Sequence, residues 1–407
     1  MDRSRQDELL LSFLRMGPDG AGTIGAEELS DADWEDLLHR SARHGMTPLL
    51  FHRLTTFHTG APVPAEVIRK LHNIYLQSAA RNMKLYHELG KVLGRMHREG
   101  IPVIALKGAH LAEVVYGNIA LRPMVDADLL VKQRDLSRVK DLLVEQGYRD
   151  SKEETFCSQE HLPPYRKEGS ISIEIHFNIV APPFSDRVDV EKLFNRAQSC
   201  SIGGIETGTL CPEDLLLHLC MHASYKHGFD NGILPLFDIA RVIEHYKADL
   251  DWEQVLSRSK DWGVGKCVYV ALSLSERIAG AAIPDKIKAD MNVHRDGLDA
   301  TKLAEELLFG KGTQMGSNIA RLFGNNRFRE KLITLAHGAF PPVKTIAEMN
   351  PDIKNKISLY LLYFFRIKGL FLRHGRTTWK LFLRDKETVL LAGMENRRNE
   401  LKDWLVE

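Results

Sequence analysis

The chain has 407 residues, a formal net charge of +1 at pH 7, 27% charged residues and 44% hydrophobic residues. Its length predicts two or three domains, and its near-neutral charge excludes the basic excess of a dedicated nucleic-acid-binding protein. The five cysteines, never in CxxC spacing, argue against a disulfide framework or a zinc ribbon and favour a reduced, cytoplasmic setting.

Residues 1–98 are predicted to form an N-terminal helical region. The first segment, MDRSRQDELLLSFLRMG, is typical of an amphipathic helix rather than a signal peptide. A long helical pattern runs from 65 to 98, and Glu99-Gly100 provides a helix stop. No run in the sequence approaches the roughly 18 apolar residues that a transmembrane segment needs.

The pattern changes to alternating strands and helices between 99 and 185. Strands are predicted at 101–106, 125–131 and 171–179, and helices at 109–116 and 136–146. This compact core is small for an independent domain, so it is expected to depend on its helical neighbours. Helices return after Ala181-Pro182-Pro183, and 186–407 is predicted to be a C-terminal helical domain.

The most informative feature is the pair Asp126 and Asp128, because alternate residues of a strand point to the same side. An apolar run, Leu129 to Val131, follows the pair, so both acids begin a buried strand and need a compensating partner. Two converging carboxylates favour Mg²⁺ over zinc or copper. On this spacing alone, an edge strand that exposes both acids to water, with Arg122 or Lys107 as a partner, carries equal weight.

Two further DxD matches are interpreted as structural. Asp31-Ala32-Asp33 and Asp249-Leu250-Asp251 each precede a tryptophan and an acidic, helix-forming run. Acids at such positions cap a helix and complement its dipole.

Glu174 lies in the third predicted strand, SISIEIHF, and shares its face with His176. Together with Asp126 and Asp128 it completes the set of carboxylates that two-metal phosphoryl transfer needs. Lys107-Gly108, between the first strand and the following helix, places a cation and free backbone N–H groups where a phosphate would bind. An exposed strand glutamate is the common alternative for Glu174.

This combination resembles the uncharacterised nucleotidyltransferase family, a branch of the DNA-polymerase-β-like nucleotidyltransferase superfamily. The segment at 212–229, followed by 236–240, is similar to the helical segment that follows the catalytic core in that family. The motifs that match are Leu106-Lys107-Gly108, Tyr116, Arg122, Asp126-Ala127-Asp128-Leu129-Leu130-Val131 and Glu174-Ile175-His176.

The resemblance implies an α+β fold, with a small mixed-sheet nucleotidyltransferase core flanked by N-terminal and C-terminal helical domains. It implies transfer of a nucleoside monophosphate from an NTP, with ATP the expected one, to an acceptor hydroxyl on a small molecule, a peptide or a protein. Mg²⁺ is the expected metal ion and Mn²⁺ the alternative. By position, Asp126 and Asp128 would bind both metal ions. Glu174 would bind the catalytic ion and help to deprotonate the acceptor.

The phosphate-binding residues implied by the resemblance are Lys107, Gly108 and Arg122. The backbone of Gly108 would contact the β- and γ-phosphates, while Lys107 and Arg122 would offset negative charge. The usual Gly-Ser loop of the superfamily is here Lys107-Gly108. This departure supplies a charge where a serine would supply only a hydrogen bond.

Several other residues are candidates for lining a cleft over the nucleotide or the acceptor, with a structural role as the alternative: His176, His222, Lys226 and Asp238. A zinc site at His218 and His222 is disfavoured, because the residues between them do not form an HExxH-like centre. The basic and apolar segment 357–386 is interpreted as core packing. A helix in contact with a membrane surface, or a surface that binds a partner, is the alternative for this segment.

The competing function is a catalytically silent nucleotide-binding or protein-interaction module built on the same fold. Such a module has no physical need for three converging carboxylates, so the sequence favours the enzyme. A kinase of the antibiotic-modifying type would need a longer nucleotide-binding lobe than this chain offers.

Overall fold

The computed structural model describes residues 4–15, 29–57, 63–150, 160–291, 299–310 and 386–407. The chain divides into two compact units, Met1–Leu308 with Val406, and Phe309–Leu405 with Glu407. The segment 357–386, for which core packing was predicted, lies outside the described residues except for Lys386, the first residue of a C-terminal helix. No described helix is long and apolar enough to cross a membrane.

The described helices precede, interrupt and follow the strands. Four helices lie before the first strand: α1 Arg5–Leu14, α2 Asp31–Arg43, α3 Thr47–Thr56 and α4 Ala65–Arg98. Three lie between strands: α5 Lys107–His110, α6 Leu136–Glu145 and α7 Val190–Arg196. The remaining ones are α8 Pro212–Met221, α9 Leu234–His245, α10 Trp252–Trp262, α11 Gly265–Leu274, α12 Asp285–Asp290, α13 Ala300–Phe309 and α14 Lys386–Val406.

Single turns of π-helix extend three of these helices. Leu111–Val115 continues α5, His222–Lys226 continues α8, and Ser275–Ala279 continues α11. Such turns are rare and frequently occur at functional sites. The first two lie on the segments that carry the predicted phosphate-binding and cleft residues.

The sheet has seven strands in the spatial order β3-β4-β5-β2-β1-β7-β6. The strands are β1 Val103–Ala105, β2 Asp126–Val131, β3 Arg149–Asp150, β4 Tyr165–Arg166, β5 Ser172–His176, β6 Gln198–Ile202 and β7 Ile205–Thr209. Strand β2 is central, antiparallel to β1 and parallel to β5, so the sheet is mixed. The predicted α+β class with a mixed-sheet core is therefore confirmed.

One face of the sheet packs on a hydrophobic core. The inner side of α4, including Leu89 and Leu93, contributes to this core together with α6 and the apolar residues of β2 and β5. Leu129 and Ile173 lie in it with no exposed surface. Because side chains alternate along a strand, the opposite face is left for Asp126 and Asp128 and for Glu174.

Several predicted elements differ in extent from the observed ones. The strands predicted at 101–106 and 171–179 are shorter, and the helix predicted from 109 begins two residues earlier, at Lys107. The hairpin β6–β7 was not predicted, and it lies beyond the predicted core boundary at 185. Its strand β6 is largely polar and exposed, so it lacks the alternation that indicates a strand. The division into 1–98, 99–185 and 186–407 stays a prediction.

Local expectations for three other segments are met. The helix predicted at 65–98 has the same bounds in the structure. Ser30 and Asp33 form a capping box at the start of α2, and the side chain of Asp251 caps α10. The two DxD matches that were set aside thus lie at helix starts, as expected.

Candidate active site

Strands β2 and β5 bring the acids of two distant segments together. Their parallel register pairs Asp126 with Ser172, Asp128 with Glu174, and Leu130 with His176. The side chains of Asp128 and Glu174 therefore lie at the same level on one face of the sheet. Sequence separation gave no indication of this register.

Ligand atoms of Asp128, Glu174 and His176 lie within 4.8 Å of one another, which is a group that could hold a metal ion. Two members, Asp128 and Glu174, belong to the predicted metal set. The third, His176, was predicted as a cleft residue, and among the described residues no group of this kind includes Asp126. Asp126 is nevertheless close enough to feel the charges of Asp128 and Glu174, since burial and these two charges together raise the pKa of Asp126 to about 6.

Asp128 is the most tightly held of these carboxylates. Its Oδ1 accepts hydrogen bonds from Lys107 Nζ at 3.0 Å and from His176 Nε2 at 2.9 Å. Burial alone would raise the pKa of Asp128, but the charge of Lys107 and the bond from His176 outweigh it and hold the pKa well below its usual range. Burial lowers the pKa of His176, but the hydrogen bonds to Asp128 and Glu174 outweigh burial and raise this pKa above its ordinary value. Asp128 is therefore ionised at neutral pH.

Lys107 adopts an unusual backbone conformation at the turn between β1 and α5. Its φ angle is +40°, in the left-handed region that normally suits glycine. The preceding residue is anchored, because Leu106 N–H donates to the backbone oxygen of Asp128 at 2.9 Å. This strained conformation places the ammonium group of Lys107 beside the buried Asp128. Strain of this kind is common at functional sites.

Gly108 lets the guanidinium group of Arg122 approach the backbone of α5. A Cβ atom at this position would lie 2.7 Å from Arg122 Nη1 and 3.0 Å from Met124 Sδ. Both distances are shorter than ordinary van der Waals contacts. A side chain at position 108 would therefore require the side chains of Arg122 and Met124 to shift.

Arg122 is paired with Asp238, which is 2% exposed. Arg122 Nε lies 3.0 Å from Asp238 Oδ1, and Nη2 lies 2.8 Å from Oδ2, which is a two-point interaction. Tyr116 Oη also donates to Asp238 Oδ1 at 3.0 Å. Asp238, predicted as a cleft residue, is thus the counter-ion of a predicted phosphate-binding residue. The sequence showed both residues but not their pairing.

A small cavity adjoins the metal-binding group and shares Lys107 and His176 with it. It is also lined by two predicted cleft residues, His222 and Lys226, and by residues that were not predicted to take part, including Glu160 and Tyr225. His222 Nε2 lies 3.1 Å from His227 Nε2, and Lys226 forms an ion pair with Glu160. His222 and Lys226 therefore line a cavity that adjoins the metal-binding group, and their role over the nucleotide or the acceptor stays a prediction.

Comparisons with known proteins indicate the family to which the chain belongs. The model of the family described as "Uncharacterised nucleotidyltransferase" matches residues 30–280, more than half of the chain. Among solved structures, the chain is similar to an antigenic nucleotidyltransferase-like protein from Paracoccidioides brasiliensis, with 16% identity, 50% of this chain and 96% of the other covered, and a TM-score of 0.33. No curated protein matches the sequence. The chain belongs to the uncharacterised nucleotidyltransferase family.

Proposed function

We propose that this protein is a Mg²⁺-dependent nucleotidyltransferase, which moves a nucleoside monophosphate from an NTP, with ATP the expected one, to a hydroxyl group of an acceptor. The acceptor would be a small molecule, a peptide or a protein. Membership of the family supports nucleotidyl transfer in general. The single observation that carries the proposal is the placement of Asp128 and Glu174 side by side on parallel strands, next to Lys107.

The residues fit a divalent cation. Carboxylate oxygens are the ligands that Mg²⁺ and Mn²⁺ prefer, and the histidine nitrogen is more favourable to Mn²⁺. Burial, and then the negative charges of Asp128 and Glu174, raise the pKa of Asp126, so a cation bound here would offset charge that the protein compensates only in part. Asp126, Asp128 and Glu174 would hold the metal ions, with His176 close to them. When bound, the ions would stabilise negative charge on the transferring phosphoryl group.

The side chains have distinct roles in this proposal. Lys107 and the backbone of Gly108 bind the phosphates. Arg122, held by Asp238, packs against the backbone of Gly108 and adds positive charge. The acceptor oxygen forms a bond to the α-phosphorus as the bond from that phosphorus to the leaving pyrophosphate breaks. The proton of the acceptor hydroxyl passes to the carboxylate of Glu174 and then to solvent. Negative charge builds up on pyrophosphate, where Lys107 offsets it.

The test is transfer of label from each of the four α-³²P-labelled NTPs to components of a cell extract, with Mg²⁺ or Mn²⁺. Asp128→Asn should reduce transfer about 100-fold or more, because it removes a charge on which the transition state depends. Glu174→Gln should have a similar effect, and it perturbs a less buried residue. The matched control is Asp31→Asn, an exposed acid from one of the DxD matches at a helix start, which should leave transfer unchanged. Full transfer by Asp128→Asn would exclude the proposed mechanism.

One observation favours the alternative of a catalytically silent module. Asp128 Oδ1 already accepts hydrogen bonds from Lys107 and His176, so its burial is compensated by the protein itself. A silent module would bind an NTP without transferring label, and its affinity would not depend on Mg²⁺. Calorimetric titration with a non-hydrolysable ATP analogue, with and without Mg²⁺, distinguishes the two functions.

A further inference from the structure

The cavity beside Asp128 contains a buried histidine nitrogen that the fold does not use. His218 is 2% exposed, and its Nδ1 lies 2.9 Å from the backbone oxygen of Ile179. A carbonyl oxygen can only accept, so Nδ1 carries the proton and donates it to Ile179. Nε2 of the same ring is buried and has no hydrogen-bond partner among the residues that the structure describes. Nε2 of His218 therefore has a lone pair that can accept a hydrogen bond.

Three neighbouring polar side chains of the cavity are already engaged. Lys107 binds Asp128, Lys226 binds Glu160, and the hydroxyl of Tyr225 donates to the backbone of Pro182 at 2.8 Å. Among the described residues that line the cavity, Nε2 of His218 and Nδ1 of His176 are buried without a hydrogen-bond partner, and Nε2 of His218 is a hydrogen-bond acceptor. A buried acceptor of this kind costs about 1–3 kcal/mol unless a ligand or a water molecule satisfies it.

The size and charge of the cavity restrict the group that it can hold. Its volume is about 20 Å³, which is room for roughly one water-sized group. Burial, together with the charges of Lys107 and His176, lowers the pKa of His218 to about 3, so the imidazole is neutral at physiological pH. A neutral Nε2 cannot donate to a phosphate or carboxylate oxygen. The matching ligand group is therefore a small donor, and a hydroxyl fits both requirements.

We propose that this cavity receives the acceptor hydroxyl, and that the hydroxyl donates a hydrogen bond to Nε2 of His218. The proposal rests on the proposed nucleotidyl transfer and adds the position of the nucleophile. Because His176 belongs both to the cavity and to the group of Asp128 and Glu174, a hydroxyl held there lies beside the carboxylates that take part in transfer. His218 orients the hydroxyl, and its proton still leaves through Glu174. His218 is thus an acceptor-binding residue.

Two substitutions separate the two ring nitrogens. In His218→Asn the amide nitrogen occupies the place of Nδ1 and keeps a donor for Ile179, but the acceptor at Nε2 is lost. In His218→Gln the amide oxygen can reach the place of Nε2 and keep an acceptor. His218→Asn should lower transfer of label about tenfold, the loss expected for one neutral hydrogen bond, while the affinity for Mg²⁺ and α,β-methylene-ATP stays within about twofold. His218→Gln should recover part of the transfer.

The control is His39→Asn, an exposed histidine on α2, which should leave both quantities unchanged. If transfer and nucleotide affinity fall together in His218→Asn, or if neither falls, the assignment of His218 to the acceptor is wrong. Melting temperatures of all variants are compared with that of the wild type.

A second measurement does not depend on transfer or on the stability of the variants. In the wild-type protein labelled with ¹⁵N-histidine, NMR should show Nε2 of His218 without a proton, and its signal should shift when glycerol is added as a simple hydroxyl compound. A protonated Nε2, or a signal that glycerol does not change, would overturn hydroxyl binding. Absence of label transfer by the wild type would instead count against nucleotidyl transfer, and the cavity would then be judged by NMR alone.

Discussion

Lys107 occupies a backbone conformation in which glycine should make the protein more stable than alanine does. At an ordinary helix position alanine is favoured over glycine by about 1 kcal/mol. The left-handed conformation, with φ at +40°, costs a residue with a Cβ atom about 1–2 kcal/mol. Both Lys107→Gly and Lys107→Ala remove the 3.0 Å bond to Asp128, so that loss cancels in the comparison. We expect Lys107→Gly to be more stable than Lys107→Ala by up to about 1 kcal/mol.

The assay is urea denaturation followed by circular dichroism, with the two variants compared at equal m-values. The matched control is Lys84, an exposed lysine inside α4, where the order should reverse and alanine should be favoured by about 1 kcal/mol. If Lys107→Ala proves as stable as Lys107→Gly, the backbone strain inferred at this position does not exist. Neither variant should retain the wild-type affinity for NTP, since both lack the ammonium group.

Two further predictions concern buried charges. The pKa of Asp126 is raised to about 6, chiefly by burial and then by Asp128 and Glu174, so its contribution to stability is present below about pH 4 and is lost as the pH rises through 6. In the presence of a chelator, Asp126→Asn should therefore raise the free energy of unfolding by up to about 3 kcal/mol at pH 8 and change it little at pH 4. Denaturation series at both pH values test this, and a larger gain at pH 4 than at pH 8 would refute the reasoning. Asp238→Asn leaves the buried Arg122 without its counter-ion and should cost about 3–5 kcal/mol. Adding Arg122→Met should cost less than the sum of the single changes, and strict additivity in a double-mutant cycle would refute the pairing.

Local sequence patterns were sufficient for the elements whose residues interact mainly with near neighbours. The helical pattern of 65–98 and the stop at Glu99-Gly100 predicted the bounds of α4, and the acids before Trp34 and Trp252 indicated helix starts. The alternation of apolar and acidic residues at 126–131 indicated a strand with two different faces. In each case the signal lies within a few turns or residues of the element itself.

Pairings between distant segments could not be predicted from such patterns. Arg122 and Asp238 are 116 positions apart, and Lys226 and Glu160 are 66 apart. The membership of His176 in the metal-binding group depends on the register of β2 against β5, which periodicity does not determine. The clearest clue available in the sequence was the spacing of Glu174 and His176 on one strand face.

The alternation on β2 also makes this segment unusually sensitive to insertions and deletions. A shift of one residue would turn Asp126 and Asp128 into the hydrophobic core and would turn Ala127 and Leu129 towards the site. A substitution can damage the site and leave the core intact, but a one-residue length change between 124 and 131 would disrupt both at once. Natural length variation in this family should therefore be confined to the segments outside this strand.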